Sequence, residues 1–167
     1  IVRIRVEADG SYTIPSGNLF TDPSVGRPEI YAMGMRNPFR IHVDQRNGNV
    51  YWGDVGPDAG KDSTGLGPRG HDEVNVAREA GFFGWPLFIG DNKPYHSRDF
   101  TTAVSGEAFD PKAPINDSKY NTGARELPPA QPAMIYYPYA QSEEFPQLGN
   151  GGRNAMAGPV FYLDDYQ

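Results

Sequence analysis

The sequence predicts an all-β fold built from many short strands. Glycine and proline are unusually frequent, with 20 Gly and 16 Pro among 167 residues, which leaves little room for long helices. Several short stretches alternate apolar and polar residues with the period of two that half-buried strands show. Aromatic residues make up 13% of the chain, too many for a disordered polypeptide. Together these observations favour small sheets joined by elaborate loops.

The predicted strands follow one another at short intervals. Val2, Ile4 and Val6 alternate with two arginines, and the turn residues 8–11 come directly after them. Asn47-Gly48 is among the strongest short-range signals for a hairpin, and it separates two alternating stretches. Further strands are predicted over the ranges 29–33, 39–44, 50–55, 72–77, 133–137 and 157–162.

One stretch departs from this pattern. Residues 90–132 are polar and rich in proline, and they show no evident strand. We predict a long irregular loop excursion there, within a single partial domain that spans residues 1–167. Because both ends interrupt a strand pattern, we expect a segment of a longer protein, with any targeting signal outside it.

Charge and composition exclude several classes of function. The chain carries 21 acidic and 15 basic residues, a net charge of −6, and no basic run that would attract nucleic acid. No stretch approaches the roughly 18–20 apolar residues that a membrane-spanning helix needs. Without cysteine there is no disulfide, thiolate metal site or cysteine nucleophile.

Two catalytic motifs are also disfavoured. Residues 65–70 spell G-x-G-x-x-G, but Pro68 interrupts the motif and no helix signal follows, as a nicotinamide site would require. No G-x-S-x-G is present, which disfavours a serine hydrolase.

Three motifs occur in a fixed order over about 50 residues. They are Gly34-Met35-Arg36-Asn37-Pro38, then Gly53-Asp54-Val55-Gly56-Pro57 leading to Asp72-Glu73-Val74-Asn75, then Gly81-Phe82-Phe83-Gly84-Trp85-Pro86. In order and spacing this set resembles the glucose/sorbosone dehydrogenase family. The resemblance implies a six-bladed β-propeller, of which this chain would hold roughly two or three blades.

The resemblance also implies roles for particular residues. Arg36 and Asn37 match a pair that contacts pyrroloquinoline quinone (PQQ), where a guanidinium and an amide donor would stabilise negative charge on the quinone oxygens. Gly56 and Pro57 match residues whose carbonyls hold a calcium ion, a hard cation that prefers oxygen ligands. The acidic pair Asp72-Glu73 matches residues near a second, structural Ca²⁺.

Each assignment has a simpler alternative. Arg36-Asn37 also suits an ordinary turn before a proline, and Gly56-Pro57 also suits loop punctuation. The carboxylates of Asp72 and Glu73 also suit a solvated or purely structural role.

The chain departs from the family pattern at two points. Val55 stands where relatives carry Gln, which removes one polar contact with the cofactor. The family's general-base histidine precedes G-x-R-N-P, whereas residues 1–33 contain no His, so we expect that base outside this chain. The histidines present are His42, His71 and His96.

The resemblance therefore implies part of a secreted or periplasmic quinoprotein that oxidises the C1 hydroxyl of an aldose. Its cofactors would be PQQ and Ca²⁺, and an external acceptor would take the electrons. The alternative is a non-catalytic β-propeller that binds carbohydrate or protein, since a fold alone does not fix a function.

Overall fold

The computed structural model describes residues 1–166, and these residues form an all-β structure with two short 3₁₀ helices, at Pro146–Leu148 and Leu163–Tyr166. The strands are β1 (Arg5–Val6), β2 (Tyr12–Thr13), β3 (Ala32–Met33), β4 (Pro38–Val43), β5 (Val50–Asp54), β6 (Asp72–Ala77), β7 (Gly81–Phe82), β8 (Phe88–Ile89), β9 (Lys93–Pro94), β10 (His96–Asp99), β11 (Val104–Ala108) and β12 (Ile135–Tyr137). The predicted all-β class is confirmed. The closure of these strands into a propeller stays a prediction.

The largest sheet has four antiparallel strands in the order β12-β6-β5-β4. Its centre is apolar, because Val50 and Trp52 of β5 and Val76 of β6 are buried. Asp54, at the end of β5, stands opposite Glu73 of β6. This register brings two carboxylates to the same end of the sheet.

The hairpin of β4 and β5 forms as the Asn-Gly signal predicts. Gly48 adopts φ +77°, a left-handed conformation that glycine takes without strain. A bulge lies between Phe39 and Ile41, where Arg40 has φ +65°. β4 is the edge strand, and Phe39, Ile41 and Val43 stay 49%, 51% and 41% exposed, so nothing in the described chain covers this apolar face.

The remaining strands form two-stranded sheets. β1 and β2 make the hairpin predicted at the start of the chain, and β3 pairs with β7 in parallel. β8 pairs with β9, and β10 pairs with β11.

Two predictions about secondary structure were wrong. The stretch 90–132 is not irregular throughout, because it holds β9 and the β10–β11 hairpin. The stretch 157–162 forms no strand, although its residues are apolar enough for one.

Two apolar clusters form the core. The first surrounds Trp52, whose ring meets that of Phe83 edge to face at a centroid distance of 4.7 Å. The second comprises Phe82, Leu87 and Phe88. No helix within residues 1–166 is long and apolar enough to cross a membrane.

Candidate functional site

The motif residues converge where the four-stranded sheet ends beside the loop that follows β5. A small cavity of about 10 Å³, room for about one water molecule, lies at this corner. Its lining includes Arg36, Asp54, Gly56, His71, Glu73 and Trp85. Residues from all three sequence motifs therefore meet at one place, which we call the motif corner.

The Asp54 side chain binds the main-chain N–H groups of the Arg36–Asn37 turn. Its Oδ2 accepts the N–H of Arg36 at 3.0 Å, and its Oδ1 accepts the N–H of Asn37 at 2.6 Å. The carboxylate is only 5% exposed. Burial raises the pKa of Asp54, and the two N–H donors oppose that shift. Both oxygens thus serve one turn.

The side chains of that turn stay exposed. Within residues 1–166 the Arg36 guanidinium makes one hydrogen bond, to the carbonyl of Val55 at 2.9 Å, and takes part in no ion pair. Its Cζ lies 5.9 Å from the centroid of the Trp85 ring. Over the same range the Asn37 side-chain amide makes no hydrogen bond. Two polar groups rich in donors are therefore available to a ligand.

The Gly56–Pro57 segment is tightly enclosed by Gly70 and His71, the two residues just before β6. A Cβ built on Gly56 would lie 1.9 Å from the carbonyl oxygen of His71, so no larger residue fits at this position. Likewise, a Cβ on Gly70 would lie 1.7 Å from the carbonyl oxygen of Pro57. That carbonyl also accepts the N–H of Ala59 at 2.8 Å.

Asp72 ties this segment to a distant part of the chain. Its Oδ1 accepts the N–H of Gly56 at 3.0 Å, and its Oδ2 accepts the N–H of Ala155 at 2.7 Å. The carboxylate is 4% exposed. The stretch 157–162, which was predicted as a strand, is thus anchored just before its start by the Asp72 side chain and not by strand pairing.

Glu73 is a buried acid that forms no ion pair with a cation in the part of the chain that the structure describes. Its Oε1 accepts the N–H of Gly90 at 2.5 Å, and its Oε2 accepts Nδ2 of Asn75 at 3.0 Å. Burial, and to a lesser degree the charges of Asp54 and Asp72, raise the pKa of Glu73 to about 7.

Sequence reasoning missed two members of the motif corner. His71 is 7% exposed, its Nδ1 lies 2.9 Å from the carbonyl oxygen of Arg69, and burial lowers its pKa, which favours the neutral ring. Asp54 stands inside a matched motif but received no role. The sequence carries no signal for this role, because the burial of Asp54 is seen only in the structure.

The motif corner offers the exposed donors of Arg36 and Asn37 to an anionic ligand, but no set of side chains suited to hold a metal among residues 1–166. The hydroxyl of Tyr95 is buried without a partner, and burial together with the charge of Glu73 raises the pKa of Tyr95 to about 12. No group of three or more His, Cys, Asp or Glu side chains within residues 1–166 is placed to hold a metal ion. A calcium ion at this corner would therefore depend on backbone carbonyls and on oxygens of the ligand.

Comparison with known proteins decides the family. The profile described as Glucose / Sorbosone dehydrogenase matches residues 1–148. The chain belongs to this family. The predicted resemblance is thereby confirmed over most of the sequence.

Among individual relatives, the HIPL1 protein of Arabidopsis thaliana is 26% identical over 158 residues, which cover 93% of this chain and 18% of that protein. The Aldose sugar dehydrogenase YliI of Escherichia coli (strain K12) is 34% identical over 74 residues, 44% of this chain and 17% of that protein. The HIPL2 protein of Arabidopsis thaliana is 32% identical over 81 residues, 48% of this chain and 10% of that protein. The chain thus spans less than a fifth of the length of these relatives. No solved structure matches it significantly.

Proposed function

We propose that this chain forms part of a quinoprotein aldose dehydrogenase and contributes one wall of its cofactor site. The observation that carries this proposal is the exposed Arg36 guanidinium, free of any ion pair within residues 1–166, beside the exposed amide of Asn37. Membership of the glucose/sorbosone dehydrogenase family and the likeness to an aldose sugar dehydrogenase support it.

The chemistry that PQQ supplies when bound is acceptance of a hydride from C1 of the sugar. Arg36 and Asn37 would donate hydrogen bonds to the quinone oxygens and stabilise the negative charge that develops there. Because Asp54 holds their backbone, these donors need little reorganisation when charge develops. Their contribution is therefore electrostatic and positional.

Calcium would be held at the same corner by the carbonyls of Gly56 and Pro57 together with oxygens of the cofactor. The second calcium predicted at Asp72 and Glu73 stays a prediction. All four of their carboxylate oxygens already accept hydrogen bonds from N–H groups of the chain, so a metal there would have to share them.

The remaining parts of the catalytic site would come from the protein outside this chain. A general-base histidine from outside this chain would remove the proton of the sugar C1 hydroxyl. An external acceptor would reoxidise the cofactor, and the protein would be secreted or periplasmic. The strands described above would form part of a six-bladed propeller.

A turnover assay tests this proposal. The longest natural polypeptide that carries this sequence is incubated with PQQ, Ca²⁺ and an artificial electron acceptor, and a panel of aldoses is supplied. We expect acceptor reduction and lactone formation that require both PQQ and Ca²⁺ and that cease with a calcium chelator. Lack of turnover with every aldose, under conditions where the protein is folded, would contradict the proposal.

A second candidate is a non-catalytic module that binds carbohydrate or protein. Val55 favours it, because the polar side chain that relatives carry at this position is missing. Binding of an aldose without PQQ-dependent turnover would favour this candidate.

A further inference from the structure

The Arg36–Asn37 turn is attached to the end of β5 by hydrogen bonds that run in both directions. The Asp54 carboxylate accepts both N–H groups of the turn. Arg36 Nη1 also donates to the carbonyl of Val55 at 2.9 Å. In the opposite direction, the N–H of Val55 donates to the carbonyl of Asn37 at 3.2 Å. Four hydrogen bonds thus attach a short exposed turn to the end of the sheet.

We propose that Asp54 is a positioning residue, whose carboxylate fixes the Arg36–Asn37 turn so that the guanidinium and the amide address the same ligand oxygens. This inference rests on the proposed function, since the quinone oxygens are the groups that those two side chains would meet. Both oxygens of Asp54 are occupied by the turn, so its role would be to position the donors and not to bind the ligand.

The geometry requires a carboxylate. Two adjacent N–H groups point at one side chain, and only a carboxylate offers an acceptor to each. An asparagine offers one acceptor and one NH₂ group, so Asp54→Asn would turn a donor toward one of the two N–H groups. A buried N–H group without an acceptor is costly, and the turn would move to relieve it.

Asp44 provides a matched control at the other end of the same hairpin. It is 2% exposed, and its Oδ1 accepts the N–H of Arg46 at 2.9 Å. Roughly 15 Å of strand separates it from Asp54, at about 3.4 Å per residue. Asp44→Asn thus removes a buried carboxylate that holds a turn without touching the motif corner.

The test is a fluorescence titration of PQQ, in the presence of Ca²⁺, into the longest natural polypeptide that carries this sequence. We expect Asp54→Asn to weaken binding by about tenfold or more, as changes to supporting residues commonly do, and Asp44→Asn to leave the affinity unchanged. In the background of Arg36→Ala, Asp54→Asn is expected to have a smaller effect, because one of the two donors that it positions is already gone. A purely structural residue would show additive effects instead.

Hydrogen exchange on the ligand-free protein gives a second readout. Asp54→Asn is expected to speed exchange selectively at the Arg36 and Asn37 amides, and Asp54→Glu serves as the variant if the asparagine protein does not fold. If the wild type binds PQQ but Asp54→Asn resembles Asp44→Asn or adds fully to Arg36→Ala, the inference is overturned while the proposed function stands. If the wild type binds no PQQ, the proposed function fails, and the exchange measurement alone decides whether Asp54 holds the turn.

Discussion

The two ends of the β4–β5 hairpin each have a buried aspartate that binds a turn, but they differ in whether the nearby arginine is paired with an acid. At each end a buried aspartate accepts main-chain N–H groups of a turn, Asp54 at one end and Asp44 at the other. At the Asp44 end the neighbouring Arg46 is neutralised, since it pairs with Asp164 and Asp165. At the Asp54 end, Arg36 forms no ion pair with any acid of the described residues.

The acids themselves also differ between the two ends. A hydrogen bond from the Tyr162 hydroxyl lowers the pKa of Asp44, whereas burial raises the pKa of Asp54. At the Asp44 end, residues 162–165 cover the turn, and the cation Arg46 is paired with acids. The Asp54 end keeps a cation exposed above a cluster of buried acids, which is the arrangement expected of a ligand site and not of a simple turn.

The largest effect is expected from the residue between the two ends. Trp52 is fully buried and meets Phe83 edge to face. Trp52→Ala should lower the free energy of unfolding by about 3–5 kcal/mol, or prevent folding, because it leaves a large cavity in the core. Urea denaturation followed by circular dichroism measures this. Tyr51→Ala, on the other face of β5, should cost less; an equal cost would contradict the core assignment.

Glu73→Gln tests, through the pH dependence of stability, whether the buried acids at the Asp54 end are held in an unfavourable charged form. Burial raises the pKa of Glu73 to about 7 from its usual 4.5, so the folded state binds an extra proton between these values. The stability that protonated Glu73 provides is therefore fully present below about 4.5 and is lost as pH rises through about 7.

The glutamine variant removes that loss, and a rotated Asn75 amide, whose Oδ1 has no partner, can accept its new N–H group. We expect Glu73→Gln to raise the free energy of unfolding at pH 8 by up to about 3 kcal/mol relative to wild type and to flatten its pH dependence. Urea denaturation at several pH values measures this. Glu79→Gln, at an exposed carboxylate, is the control and should change neither. A lower stability of Glu73→Gln at pH 8 would show that the charged form is favoured in the fold.

Asp72→Asn should have an intermediate effect. Only one of the N–H groups of Gly56 and Ala155 would keep its acceptor, which costs about 1–3 kcal/mol of unfolding free energy. Limited proteolysis should show faster cleavage near residue 155, where the chain loses its attachment. Asp110→Asn, at an exposed turn, is the control. Unchanged proteolysis would mean that other contacts hold this segment.

Arg46→Ala should have the smallest effect. Its ion pairs with Asp164 and Asp165 lie on the surface, and exposed pairs contribute little to stability. We expect a smaller change in melting temperature than Asp72→Asn produces, and a change that shrinks further in about 0.5 M salt. A large change that does not depend on salt would show that the Asp44 end is more than a closed turn.

Local sequence signals predicted the strands that are marked by a turn motif or by alternating apolar and polar residues. The Asn47-Gly48 turn fixed the β4–β5 hairpin, and β6 has the bounds that its sequence predicts. The hairpin of β10 and β11 escaped prediction because its strands are polar and mostly exposed, so main-chain pairing leaves no apolar alternation. The stretch 157–162 has the composition of a strand but pairs with none of the strands described, and composition does not reveal whether a pairing partner is present.

The candidate site was predictable as a set of motifs but not as an arrangement. The family resemblance identified Arg36 and Asn37, and the structure brings this turn beside Gly56 and Glu73. The role of Asp54 was not readable, because an aspartate that holds two N–H groups has the same sequence signature as a solvated one. Only the register of β5 and β6 shows that its carboxylate is buried.

The claim that the Asp54 end is a cofactor site is tested most directly by one binding measurement. PQQ is titrated with and without Ca²⁺ into the longest natural polypeptide that carries this sequence, as wild type, Arg36→Ala and Arg46→Ala. We predict calcium-dependent binding that Arg36→Ala weakens at least about tenfold and Arg46→Ala leaves unchanged, because only Arg36 lies at the motif corner. Absence of binding by the folded wild type, or equal weakening by both variants, would contradict the account.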